Sequence, residues 1–88
     1  MNKEEARRIA EEYIANELQP MFAFELAISV LKEFETCWIA VYNYRDYIEN
    51  KENRRKIIGN SPLIINKRTG VLRRGVSRLP IEKQVDGA

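Results

Sequence analysis

The chain of 88 residues contains no histidine and one cysteine, Cys37. Histidine is the commonest general base and the commonest transition-metal ligand, so its absence argues against most hydrolytic and metal-dependent enzymes. A single cysteine cannot form an internal disulfide, which fits a reducing cytoplasm. Cys37 lies in an apolar stretch where a thiol stays protonated, and we interpret it as a small buried hydrophobic residue.

Glycine and proline are also scarce, with four and three residues respectively. Gly59 and Gly70 lie too far apart for either glycine-rich phosphate-binding motif. No run of about 18 apolar residues is present to span a membrane, and the N-terminus, MNKEEARRIAEE, is charged where a signal peptide is apolar. We therefore expect a cytoplasmic protein that is not an enzyme, binds no cofactor, and forms a single domain over residues 1–88.

Charge is distributed unevenly along the chain. Residues 1–44 carry 4 basic and 8 acidic groups, whereas residues 45–88 carry 11 basic and 5 acidic groups. This asymmetry indicates an acidic partner, nucleic acid, self-association of opposite faces, or simply a well-solvated surface. The carboxylate pairs Glu11/Glu12 and Glu33/Glu35 are interpreted as ordinary surface charge.

The first predicted element is an amphipathic helix over residues 3–18. Its apolar residues recur at helical spacing on one face: Ala6, Ile9, Ala10, Tyr13, Ile14 and Leu18. Asn2 is the predicted N-cap and Pro20 the predicted stop, because proline disfavours a helical conformation at Gln19.

The apolar period then changes to two. Alternation predicts a strand over Phe22–Val30, in which Phe22, Ile28 and Val30 lie on the same apolar face. A polar turn is predicted over Lys32–Thr36. A second strand follows over Cys37–Arg45. Its apolar residues occupy both faces, which indicates a central strand covered on one side by the helix.

Two turns bound the next strand. Gly59-Asn60-Ser61-Pro62 leads into Leu63–Asn66, and Lys67-Arg68-Thr69-Gly70 returns the chain into Val71–Val76, with Gly70 at positive φ. Residues 46–58 form a surface loop or one helical turn, and Pro80–Val85 a short helix. The predicted fold class is α+β, with an N-terminal amphipathic helix packed on one face of a four-stranded antiparallel sheet and a short C-terminal helix.

Candidate binding residues come from the basic second half. They are Arg54, Arg55, Lys67, Arg68, Arg73 and Arg74. Arginine suits bidentate recognition of carboxylate or phosphate, and we favour an acidic protein surface over nucleic acid because no nucleic-acid-binding motif is present. Trp38 is interpreted as a core residue whose indole N–H donates to a carbonyl, with an interface anchor as the alternative.

The stretches CWIAVYNYRDYIEN and GNSPLIINKRTG resemble the YrhB family, known as immunity protein 35 among bacterial toxin-immunity proteins. The pattern includes the tryptophan that opens the central strand, the Gly-Asn-x-Pro turn, and a lysine and a glycine in the next turn. These residues are Trp38, Gly59, Asn60, Pro62, Lys67 and Gly70. The sequence departs from the pattern at Cys37, usually glycine, and at Asn66, usually acidic.

The resemblance implies a small cytoplasmic protein that binds and neutralises a toxin through a protein interface, with no catalytic site. One branch of the family implies the alternative, a heat-stable, chaperone-like binder of unfolded proteins. Nucleic-acid binding is the third hypothesis. If the first strand lies at a sheet edge, it could also pair with the same strand of a second copy to form a homodimer.

Overall fold

The computed structural model describes residues 1–50, 57 and 60–76. Helix α1 spans Lys3–Tyr13 and continues through a π-helical turn, Ile14–Leu18, and a 3-10 turn, Gln19–Met21. The sheet strands are β1 (Leu26–Glu33), β2 (Cys37–Tyr44), β3 (Leu63–Asn66) and β4 (Leu72–Arg74), and a short helix, α2 (Arg45–Glu49), follows β2. The strands form one antiparallel sheet in the order β1-β2-β3-β4. The predicted α+β arrangement of helix and sheet is confirmed.

Helix α1 begins as the sequence predicts. The Asn2 side-chain oxygen accepts a hydrogen bond from the Glu5 backbone N–H at 2.8 Å, which satisfies one of the unpaired donors of the first turn. The predicted stop is wrong in detail, because Gln19 is helical, with φ −54° and ψ −39°, and the chain leaves the helical region at Phe22. Pro20 fits a 3-10 turn because the closing bond, from Phe22 N–H to the Gln19 carbonyl, does not use its nitrogen.

The main core lies between α1 and one face of the sheet. The helix contributes one apolar stripe, and every strand except β4 contributes fully buried side chains. The buried residues of this core are Ala6, Ala10, Ile14, Leu18, Leu26, Trp38, Ala40, Tyr42, Leu63 and Ile65. We call the side of the sheet that packs against α1 the helix face, and the other side the back face.

Strand β2 is apolar on both sides, as the sequence predicts for a central strand. Its Cys37 and Ile39 form a second buried cluster with Ile64 of β3 on the back face, and Phe34 packs against them. The pairing of Cys37 with Asn66 and of Ile39 with Ile64 aligns these side chains. A strand paired on both edges and buried on both faces is held in one register, because a slip would expose one of its two apolar rows.

The predicted boundaries of β1 are wrong. The strand starts at Leu26 instead of Phe22, because Phe22 and Phe24 turn away and pack edge-on against Tyr44, with ring centroids 5.9 and 5.7 Å from it. It also continues to Glu33, inside the predicted turn.

A β-bulge at Ser29 corrects the predicted faces of β1. Ile28 pairs with Tyr42 and Val30 with Val41, so one residue of β1 is inserted between them. Val30 is thereby turned to the back face, where it is 50% exposed, while Leu31 packs against the main core. The strict alternation that the sequence predicts over Phe22–Val30 therefore ends at the bulge, because one inserted residue inverts every later side chain.

The remaining elements follow the prediction closely. Strand β3 has its predicted limits. Strand β2 ends at Tyr44, one residue before the predicted Arg45, which begins α2, and β4 is shorter than the predicted Val71–Val76. Of the two alternatives for residues 46–58, a helical turn is present over Arg45–Glu49. The predicted helix Pro80–Val85 lies outside the described residues. No helix in the described part of the chain is long and apolar enough to cross a membrane.

Candidate interaction surface

The turn between β3 and β4 is fixed by Asn66. Its side-chain oxygen accepts hydrogen bonds from the backbone N–H groups of Arg68 at 2.8 Å and Thr69 at 3.0 Å. Its backbone carbonyl accepts from Gly70, which takes the predicted positive φ, +74°. In turns of this kind, the side-chain oxygen of asparagine accepts backbone hydrogen bonds as a carboxylate oxygen of aspartate does. The departure from the acidic residue of the family pattern therefore preserves the acceptor that holds the turn.

Lys67 makes a contact that the sequence does not predict. Its Nζ lies 2.7 Å from Glu33 Oε2 and 5.9 Å from the centroid of the Trp38 ring. The bulge in β1 brings Glu33 to the helix face, directly opposite Trp38. Only 23% of the Lys67 side chain is exposed. Lys67, predicted as a partner-binding residue, therefore pairs within the chain and has less capacity for an external carboxylate.

Arg73 and Arg74 are separated by the alternation of β4. Arg74 pairs with Leu63 on the helix face, and its guanidinium lies 5.8 Å from the centroid of the Tyr13 ring. Arg73 pairs with Ile64 on the back face. Both side chains are exposed, but they point to opposite sides of the sheet.

Arg68 completes the described basic group at the tip of the hairpin, where it is exposed. The structure thus brings Lys67, Arg68, Arg73 and Arg74 together on one hairpin and divides them among its tip and two faces. Arg54 and Arg55 lie outside the described residues. We call the exposed members Arg68, Arg73 and Arg74 the hairpin arginines.

The described turn residues before β3 serve the scaffold. Asn60 donates a side-chain hydrogen bond to the carbonyl of Tyr42, which ties this turn to β2. Pro62 is buried, and its carbonyl accepts from the Gly75 N–H at 2.7 Å, which extends the pairing of the hairpin. Gly59 lies outside the described residues. The described residues of the family pattern hold strands and turns in place.

Trp38 is a core residue, as its position on β2 predicts, with 5% of its surface exposed. Its indole Nε1 has no hydrogen-bond partner among the described residues, so the predicted carbonyl acceptor is not found there. Glu33, the helix-face neighbour opposite Trp38, uses its carboxylate to pair with Lys67. The buried indole instead contributes through its apolar area and its contact with the Lys67 ammonium.

The remaining polar groups show no activated nucleophile in the described part of the chain. Burial raises the pKa of the Cys37 thiol above its ordinary value of 9.0, and a hydrogen bond from Thr36 and the charges of Arg73 and Lys67 oppose this less strongly. Burial likewise raises the pKa of the Tyr42 hydroxyl above 10.0, against the nearby charge of Arg74. No three cysteine, aspartate or glutamate side chains cluster as metal ligands among the described residues.

Two features escaped the sequence analysis. Asn43 is a buried polar residue in β2, and its side-chain oxygen accepts from the backbone N–H of Ile57 at 3.0 Å, which anchors the segment beyond α2. A polar residue inside an apolar strand was the available signal. The second feature is a groove of about 490 Å³ between the C-terminal half of α1 and the start of β1. Its walls are Arg7, Glu11, Ile14, Ala15, Gln19, Glu25, Leu26, Ala27, Ile28 and Arg45.

Comparison with known proteins gives one family. No curated protein and no solved structure matches the chain significantly. The family model described as immunity protein 35 matches residues 4–84, which covers α1 from its second residue, the whole described sheet and the two turns around β3. This confirms the resemblance drawn from Trp38, Asn60 and Gly70. The chain belongs to the immunity protein 35 family.

Proposed function

We propose that this protein neutralises a cognate bacterial toxin in the cytoplasm by binding it, without catalysis, through a surface centred on the β3–β4 hairpin. The observation that carries the proposal is membership of an immunity protein family over residues 4–84. The described core and turns consist of scaffold residues, and the hairpin carries three exposed arginines with no acidic residue. A specific interface of standard size covers about 800 Å² on each partner, which a protein of this size can offer on one face.

The charge of the hairpin supports an acidic partner surface. Residues 63–76 contain four basic residues and no acidic residue. Lys67 pairs with Glu33, and the hairpin arginines are exposed. Complementary charge speeds association and excludes wrong partners. Arg54 and Arg55 belong to the proposed surface on the evidence of the sequence alone.

The distribution of exposed apolar side chains favours this proposal over a chaperone-like binder. A binder of unfolded chains needs a contiguous apolar patch. The large exposed apolar residues of the described chain instead lie in three separate places: Met21 and Phe24 before β1, Val30 on β1, and Val71 and Val76 on the hairpin. Nucleic-acid binding has less support, because Tyr42 is buried and Tyr44 packs against Phe22, so neither presents an aromatic face for base stacking.

The test is a growth assay with charge reversal on the hairpin. The toxic domain encoded by the neighbouring reading frame is expressed in a bacterial host together with this protein. We expect the wild type to restore growth and the variant Arg68→Glu/Arg73→Glu to lose protection, because two attractive charges become repulsive. Affinity of the purified pair should fall by about 100-fold or more and should weaken with salt.

A matched control carries the same change in net charge away from the hairpin. Lys3→Glu/Arg7→Glu alters two exposed residues of α1 and should protect as well as the wild type. Equal loss of protection in both double variants would contradict the hairpin assignment. If no toxic domain binds and an unrelated client is protected from heat aggregation at equimolar ratio, the chaperone-like function replaces the proposed one.

A further inference from the structure

Strand β1 forms one edge of the sheet, and part of its backbone points away from β2. The Glu25 carbonyl accepts a hydrogen bond from Arg45 N–H, and Phe34 N–H donates to the Cys37 carbonyl. The backbone groups of Glu25 and Phe34 therefore point toward β2. Because facing alternates along a strand, the backbone groups of Ile28 and Leu31 point outward on either side of the bulge. Among the described residues these groups have no partner, whereas the outward N–H of Leu26 donates to Gln19 Oε1.

The bulge changes the spacing between the β1 residues whose backbone groups point outward, and few partner strands match that spacing. Outward positions in a regular strand recur every two residues, but Ile28 and Leu31 are three residues apart because Ser29 is inserted. A regular strand that paired with Ile28 would be out of register at Leu31. A strand with the same insertion, running antiparallel, stays in register on both sides of the bulge.

We propose that β1 pairs antiparallel with β1 of a second copy of this chain, about a two-fold axis between Ser29 and Val30. In this register Ile28 of each copy faces Leu31 of the other, and the outward N–H and C=O groups of both residues become paired. The shared insertion makes the edge complementary to itself, as a two-fold interface requires. The proposal does not rest on toxin binding.

Side-chain chemistry on the back face agrees with this register. Val30, which is 50% exposed, lies beside the axis and is covered by the second copy. Lys32 lies opposite Ala27 of the other copy and diagonal to its Glu25. Both charged residues are exposed, and diagonal neighbours on paired strands lie within reach of long side chains. Within its own chain Glu25 contacts Arg45 at 3.0 Å, so it would be shared between Arg45 and Lys32 of the second copy. The symmetry produces two such Lys32–Glu25 pairs.

The groove beside β1 accommodates the helix face of the added strand. It has a volume of about 490 Å³ and lies between Ile14 and Ala15 of the π-helical turn and Leu26 and Ile28 of β1. In the proposed register, Leu31 of the second copy stands next to Ile28, beside this groove.

Sedimentation equilibrium of the full chain tests the proposal. We expect a reversible dimer, and Val30→Lys should raise its dissociation constant at least about tenfold because it places two like charges beside the axis. Val71→Lys is the matched control, since Val71 is an exposed valine, 63% accessible, next to β4. It should leave the dimer unchanged, and thermal melts confirm that both variants fold.

Charge exchange provides the second, independent test. Lys32→Glu and Glu25→Lys should each weaken the dimer. Because Glu25→Lys also removes the ion pair with Arg45 of the same chain, the double variant should bind more tightly than either single variant without regaining the full wild-type affinity, since each Lys32–Glu25 pair then has opposite charges again. A wild type that stays monomeric up to about 1 mM overturns the proposal. So does an equal effect of Val30→Lys and Val71→Lys, or a double variant weaker than either single one.

Discussion

The Lys67 ammonium lies 2.7 Å from the Glu33 carboxylate and joins the turn after β3 to the end of β1. The backbone reinforces this junction, because Lys67 N–H donates to the Thr36 carbonyl at 3.1 Å. The two turns are separated by more than 30 residues in sequence but form one end of the sheet. Lys67, a residue of the family pattern, therefore stabilises the hairpin that presents the hairpin arginines.

The first prediction concerns this ion pair. Lys67→Met and Glu33→Gln should each lower the free energy of unfolding, and a double-mutant cycle should give a coupling of about 0.5–1 kcal/mol at low salt. The coupling should decrease in high salt because the Glu33 carboxylate is largely exposed. Urea denaturation measures it. Strictly additive single effects would show that the contact contributes nothing.

The second prediction concerns Asn66. Asn66→Ala removes the acceptor for two backbone N–H groups and should destabilise the fold by about 1 kcal/mol in thermal or urea unfolding. Asn66→Asp keeps an acceptor at the same place and should stay within about 0.5 kcal/mol of the wild type. Equal losses for both variants would contradict the role of the side-chain oxygen in the turn.

The third prediction concerns Gly70, whose φ is +74°. Gly70→Ala should cost about 1–2 kcal/mol because the left-handed conformation strains an L-residue. A Cβ there would meet Met1 and Ile9 at ordinary contact distances, 3.7 and 3.8 Å, so crowding adds little. Gly70→Asn should cost less, because asparagine tolerates this conformation. Alanine and asparagine variants of equal stability would argue against backbone strain as the cause.

The fourth prediction is a pH dependence. The pKa of the Cys37 thiol is raised in the folded state, so between 9.0 and that higher value the unfolded chain loses a proton that the folded chain keeps. Stability is therefore fully present below pH 9.0 and decreases as pH rises above it. Tyr42 behaves similarly above 10.0. Unfolding free energies from pH 8 to 10 should fall less steeply for Cys37→Ala than for the wild type, and parallel curves would contradict this.

The sequence by itself determined those helices and strands whose limits are set by nearby residues. Apolar residues at helical spacing and the cap at Asn2 define α1. The turn residues on both sides of Leu63–Asn66 define β3, because proline and glycine restrict the backbone whatever surrounds them. The two-sided apolar pattern identified β2 as a central strand. These local signals, with the family pattern they carry, were sufficient for the fold class and the family.

Tertiary structure alone decided which side chains of β1 lie on the helix face and which lie on the back face. Ser29, Val30 and Leu31 do not reveal a bulge, because Val30 and Leu31 are both apolar and either could face the core. Pairing with β2 selects Leu31, and the same shift brings Glu33 to Lys67. Lys67, predicted to bind a partner, thereby also makes a contact within the chain. Charge and alternation are properties of neighbouring residues, whereas the partner of a long side chain depends on which distant strand lies beside it.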